Sequence, residues 1–151
     1  MRKTVIIGIG SILRGDDGVG PRVIDELEKR SLPPKVSLYR GDISGLDLLK
    51  ILPDYSRAIV IDASEMGLEP GQVRVFSAKE IKKADFDDSF STHGMAFLET
   101  LTLAEKLDLE TEITIVGVQP RNTGFDLELS EPVGAGIPGI TDIVIGLLQI
   151  P

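Results

Sequence analysis

The stretch Gly8-Ile9-Gly10-Ser11-Ile12-Leu13-Arg14-Gly15-Asp16-Asp17-Gly18-Val19-Gly20-Pro21 restricts this chain more than any other. Residues 4–8 read as a buried strand, the loop after them holds glycines and two adjacent carboxylates, and Pro21 opens an amphipathic helix. A strand, an irregular loop and a helix start in that order belong to an α/β sheet, which places ligands beyond the carboxyl ends of its strands. The loop is not a dinucleotide fingerprint, because Leu13 stands where the third glycine is needed, and no Gly-Lys-Ser/Thr cradles a phosphate. Asp16 and Asp17 would repel an anion at this helix start. Two readings of the pair stay open: one acid caps the helix while the other is solvated, or the two attract a cation.

The rest of the chain supplies the sheet. Residues 21–30 form a helix with Val23, Ile24 and Leu27 as its apolar stripe and Asp25/Lys29 and Glu26/Arg30 as i,i+4 pairs outside. Residues 36–39 are a second strand, completing a βαβ unit, and 46–52 a short helix stopped by Pro53. Residues 57–61 are a strand whose Ala58-Ile59-Val60-Ile61 is a continuous apolar run of the kind buried on both faces. The run ends at Asp62, which either binds a ligand there or bonds local loop amides. After the Pro70-Gly71 turn, 72–76 is a strand antiparallel to its predecessor, since the connection is too short for a crossover helix. The charged segment 78–88 reads as loop with a helical turn.

Ser91-Thr92-His93-Gly94 precedes a helix over 95–107 whose buried face is Phe97, Leu98, Leu101, Ala104 and Leu107, with Ser91 or Thr92 as cap. His93 sits at its positive end, which favours the neutral imidazole that binds metals; it is otherwise a structural histidine. Residues 112–118 are the last strand. Ser130-Glu131-Pro132 starts a helix, and Gly134, Gly136, Pro138 and Gly139 predict a kink or break before 140–148. The pattern predicts one domain over residues 1–151: a three-layer α/β sandwich with a mixed, mostly parallel five-stranded sheet flanked by helices.

Composition narrows the chemistry. With no cysteine and one histidine, the chain has no disulfide, thiolate zinc site or multi-histidine motif, so side-chain metal ligands must be carboxylates plus at most one imidazole. A net charge of −8 argues against nucleic acid and anionic membranes as partners. The apolar start is broken by glycines, and the apolar tail 140–150 is about half the length a bilayer requires. No membrane insertion and a cytoplasmic location are expected.

Taken together, these segments resemble the hydrogenase maturation proteases, the endopeptidases of nickel-iron hydrogenases, and among them the hydrogenase-3 type most. The resemblance spans nearly the whole chain. It rests on Gly8-Ile9-Gly10 through Asp16-Asp17-Gly18-Val19-Gly20, Gly45-Leu46-Asp47-Leu48-Leu49, Ile61-Asp62-Ala63 with Gly67 and Pro70-Gly71, Thr92-His93-Gly94, Gly117-Val118-Gln119-Pro120, and Leu129-Ser130 with Val133. Two positions depart: Ser11 stands where the family usually has asparagine, and Arg40 replaces an acid before the following loop, with Asp42 after it.

The resemblance implies a phosphorylase/hydrolase-like fold and a peptidase of aspartic, metal-linked type. It implies Asp17, Asp62 and His93 as metal ligands, with Asp17 or Asp62 as general base. The implied substrate is a nickel-iron hydrogenase large-subunit precursor that loses its C-terminal extension after nickel insertion. The implied metal is nickel carried by that substrate, with zinc or another divalent ion able to occupy the same ligands in isolation. Apolar surface for a protein substrate is expected at Met66, Phe86, Phe90 and Met95, of which Phe90 and Met95 read equally well as core. A metal-dependent hydrolase of small molecules, or a non-catalytic module that checks nickel loading, would use the same three residues.

Overall fold

The computed structural model describes residues 2–43, 45–80 and 105–150 of the chain, with the backbone only at 45 and 46. Strands β1 (Thr4–Ile9), β2 (Val36–Gly41), β3 (Arg57–Ala63), β4 (Val73–Ser77) and β5 (Glu112–Val118) form one sheet in the order β2-β1-β3-β5-β4. The first four in that order are parallel, and β4 runs antiparallel to β5 with Val73 opposite Val118. The mixed sheet expected from the short connection after β3 is present, with β5 inserted between β3 and β4.

Helices α1 (Val19–Glu28) and α3 (Glu131–Leu148) cover one face, and α2 (Gly45–Ile51) packs on the other. Alternation sorts the strands between two cores. Ile6, Ile59, Ile61 and Val116 meet Val23, Leu27, Val133, Ile140 and Val144. Val5, Ile7, Ile9, Ala58, Val60 and Ile115 meet Leu48 and Leu52. Coverage of both faces is why β1 and β3 are buried throughout their length and are apolar along most of it.

Pro21 is the third residue of α1 and not its first, a position whose N–H has no acceptor inside the helix in any case. The expected i,i+4 pairs on α1 are replaced by others. Lys29 reaches Glu26 at 3.0 Å, Arg30 reaches Asp142 at 3.8 Å, and Arg40 on β2 binds both Asp25 and Glu28, tying the strand to the helix above it.

The expected break in the last helix is absent. α3 continues through Pro138 because Val133, Ile140, Thr141, Val144 and Leu148 bury one side of it, and packing outweighs the local preferences of its glycines. By length and apolarity alone α3 would suffice to cross a membrane, yet it lies along α1 as a core helix. Its carboxyl end is held by Arg57 at the start of β3. That buried guanidinium donates to the carbonyls of Leu147 (3.2 Å), Leu148 (3.2 Å) and Ile150 (2.6 Å) and to Thr4 Oγ1 (3.3 Å), a cation at the negative end of a helix. The segment 81–104, with most of the expected helix over 95–107, lies outside the described residues.

Candidate active site

The chain turns sharply as β1 ends. Gly10 has φ +142°, and a Cβ there would run into the carbonyl of Asp17, so the loop doubles back onto the strand end. Its 3-10 turn, Gly15–Gly18, touches β3. Gly20 permits this approach: a Cβ on it would lie 2.7 Å from the carbonyl oxygens of both Ile9 and Ile61. The amino end of α1 is thereby set on the carboxyl ends of β1 and β3. From β1 the chain passes to β2 on one side, and from β2 to β3 on the other, which makes this edge the switch point of the sheet.

Neither Asp16 nor Asp17 behaves as a helix cap with a solvated neighbour. Both are buried, Gly18 occupies the N-cap position of α1, and no side chain caps that helix. Asp16 points its carboxylate at a distant part of the chain. Oδ2 accepts the N–H of Arg121 (2.8 Å), the N–H of Asn122 (3.1 Å) and the hydroxyl of Ser130 (2.7 Å), while Oδ1 accepts the N–H of Ser130 (2.7 Å). Ser130 holds the N-cap position of α3 without capping it, because its hydroxyl serves Asp16. The acid sits at the positive end of that helix and satisfies donors the helix cannot. Its position in the sequence gave no sign of this role, since its partners lie 105 to 114 residues away.

Asp17 bonds differently: Oδ2 accepts the N–H of Ser11 at 2.9 Å, and Ser11 Oγ accepts the N–H of Leu13 at 3.2 Å. The serine that departs from the resembled family thus stabilises the loop around Asp17.

Asp62 lies within β3, one residue before its end, buried and in register with Gly117 of β5. It is a strand residue and not the loop aspartate that residue types alone allowed. Gly117 leaves room beside it that Met66 uses, the sulfur lying 3.1 Å from where a Cβ at 117 would be. Gln119, at the end of β5, holds the intervening loop. Its Oε1 accepts the N–H groups of Met66 (2.8 Å) and Leu68 (3.2 Å), and its Nε2 donates to Glu65 (2.9 Å) and the Pro120 carbonyl (3.2 Å). The first three of those bonds are half-buried links to the segment that follows Asp62. In the sequence Gln119 stands out only as a member of Gly117-Val118-Gln119-Pro120.

Of the three expected ligands, Asp17 and Asp62 come to the carboxyl ends of neighbouring strands, and His93 lies outside the described residues, as do Phe86, Phe90 and Met95. Among the described residues no group of three His, Cys, Asp or Glu side chains is placed to hold a metal ion. Two buried carboxylates are oxygen donors suited to a divalent cation and are also capable of accepting a proton from water. The groove of about 800 Å³ lined by Leu32, Pro33, Arg57, Ile145 and Ile150 is at the opposite end of the strands and contributes nothing to this site.

Known proteins of similar sequence and architecture include hydrogenase maturation proteases. The family model for HycI, hydrogenase maturation protease, matches residues 21–147. The hydrogenase expression/formation protein HupD of Rhizobium leguminosarum bv. viciae is 32% identical over 97% of this chain and 74% of its own length. Among solved structures, the hydrogenase maturating endopeptidase HybD from E. coli superposes with a TM-score of 0.86 at 25% identity, covering 97% of this chain and 92% of that one. The [NiFe] hydrogenase maturation protease HybD from Thermococcus kodakarensis superposes with a TM-score of 0.77 at 28% identity, covering 96% and 98%. A family match over most of the chain and a fold shared over nearly all of it lead to one conclusion: this chain belongs to the hydrogenase maturation protease family and is a peptidase.

Proposed function

We propose that this peptidase removes the C-terminal extension of a nickel-iron hydrogenase large-subunit precursor after nickel has been inserted, and that it recognises the bound nickel. The observation that carries the reading is the contrast between the two adjacent acids. Asp16 is fully engaged in holding the fold, while Asp17 and Asp62 are buried at the sheet's switch point, where α/β proteins act on their ligands.

In this reading Asp17, Asp62 and His93 are the groups that dock onto the precursor's nickel. The ion, arriving with the substrate, supplies Lewis acidity at the scissile carbonyl. One of the two aspartates takes the proton of the attacking water as its oxygen bonds to the carbonyl carbon, and returns it to the departing amine as the C–N bond breaks. A resident, tightly caged ion would not report whether the substrate is loaded. Two carboxylates and one imidazole leave positions open for the substrate's own ligands.

The test is intact-mass measurement of the precursor after incubation, with and without inserted nickel, using the wild-type protein, Asp17→Asn and His93→Ala. Loss of a C-terminal peptide from the loaded precursor alone, abolished in Asp17→Asn and reduced at least about tenfold in His93→Ala, is the expected result. Cleavage of the nickel-free precursor at the same rate would overturn nickel recognition. Processing by a folded Asp17→Asn protein would remove that residue from the mechanism.

A further inference from the structure

Four of the nine large apolar side chains exposed among the described residues belong to two loops beside the Asp17 turn: Ile12 (49%), Leu13 (51%), Phe125 (84%) and Leu127 (59%). Scattered exposed apolar residues are ordinary on a protein surface, but clustering next to a catalytic edge is not. The two loops are joined. Gly15 N–H donates to the Asp126 carbonyl at 2.9 Å, Asp126 N–H donates to the Leu13 carbonyl at 3.0 Å, and Arg14 and Asp126 form a parallel bridge.

The joined loops are also braced from beneath and from the side. Asp16 holds the amides of Arg121 and Asn122, Arg14 Nε donates to the Thr123 carbonyl at 3.3 Å, and Arg22 donates to the Leu127 carbonyl at 3.1 Å. Phe125 and Leu127 are therefore presented on a fixed backbone, which spares a partner the ordering cost that a mobile loop would impose. The rim carries both signs of charge, with Asp126 and Glu128 exposed on either side of Leu127. Arg14 and Arg121 are exposed as well, and none of the four enters an ion pair among the described residues.

We infer that the surface made by Ile12, Leu13, Phe125 and Leu127, with Arg14, Arg121, Asp126 and Glu128 around it, is the docking face for the substrate protein, and that it receives an apolar segment of the precursor flanked by charges of both signs. The inference rests on the substrate named under the proposed function. It assigns substrate contact to residues outside the three that the chemistry requires. The apolar side chains cover the partner's apolar face, the charges of both signs around them fix its orientation, and the 3-10 turn that follows Arg14 carries Asp17 to the bond to be cut.

The test is direct titration of nickel-loaded precursor with wild-type protein and with Phe125→Ser/Leu127→Ser, alongside the cleavage assay. The double variant is expected to bind at least about tenfold more weakly, with its melting temperature and its turnover at saturating precursor unchanged. Arg121→Glu is expected to weaken binding several-fold and to flatten its dependence on salt. Ile12→Ser/Leu13→Ser, on the other loop, repeats the test should the first variant fold poorly. Equal binding by a folded double variant, with cleavage intact in both proteins, overturns the docking face and leaves the endopeptidase reading standing. Weakened binding by the variant, with no cleavage by the wild type, supports the docking face and overturns the endopeptidase reading. A double variant that changes only the protein's own association state makes the face a contact between copies of this chain and overturns the inference.

Discussion

Four donors converge on the carboxylate of Asp16, and its neighbour Asp17 turns back to the amide of Ser11, so adjacent acids in the same turn do separate work. Removing the Asp16 carboxylate leaves three backbone amides and a hydroxyl without their acceptor in a buried place. Asp16→Ala is therefore expected to lose about 3 kcal/mol or more in urea unfolding, whereas Asp17→Asn, which keeps an acceptor oxygen, stays within about 1 kcal/mol of wild type while losing processing. A stability loss at Asp17 equal to that at Asp16 would contradict this division. The sequence showed that two acids stand here but not which does what. Asp16 is identified by partners in the loop before α3, more than a hundred residues on, and no local pattern encodes them. Asp62 was easier to place, because an apolar run ending in an acid is a local signal; only its position inside the strand, paired with Gly117, required the structure.

Among the elements, those written as runs or stripes were legible. β1, β3 and β5 are apolar because both their faces are covered, and β4 had to turn back because the connection before it is short. α3 was not legible beyond its start. Its glycines and Pro138 disfavour helix residue by residue, and the contacts that hold it, with α1 and with the sheet, are distant in sequence. The seating of α1 is the element-level feature on which the site depends, since it places the Asp17 turn. Gly20→Ala puts a methyl group 2.7 Å from the carbonyls of Ile9 and Ile61. Backbone cannot yield as a side-chain tip would, so the helix must lift, at a cost of about 2–3 kcal/mol. Because the turn moves with the helix, processing is expected to fall more than stability explains. Kinetics measured well below the variant's melting temperature check this, and a normal rate there would separate the helix seat from the site.

At the scale of the whole molecule, the two ends of the sheet have different tasks. The acids and the exposed apolar loops occupy the carboxyl ends of the strands, and Arg57 with the last turn of α3 occupies the other. Burial, with a smaller contribution from Arg2, lowers the pKa of Arg57, and Glu112 opposes this, so the clamp holds a charge that its surroundings resist. Arg57→Met is expected to lower stability by about 2 kcal/mol, through the carbonyls left without a donor. The KM for precursor should stay the same, and a raised KM would show that the two ends are coupled. The Asp16 contacts have a further consequence, in time. The amides that hold this acid belong to residues 121, 122 and 130, so the turn bearing Asp17 cannot be secured on a nascent chain until they have left the ribosome. At a synthesis rate of about 5–20 residues per second, that is a delay on the order of ten seconds. Through that interval the growing polypeptide carries its acids without the contacts that seat them, and a fragment released before residue 121 is expected to leave its neighbours uncut.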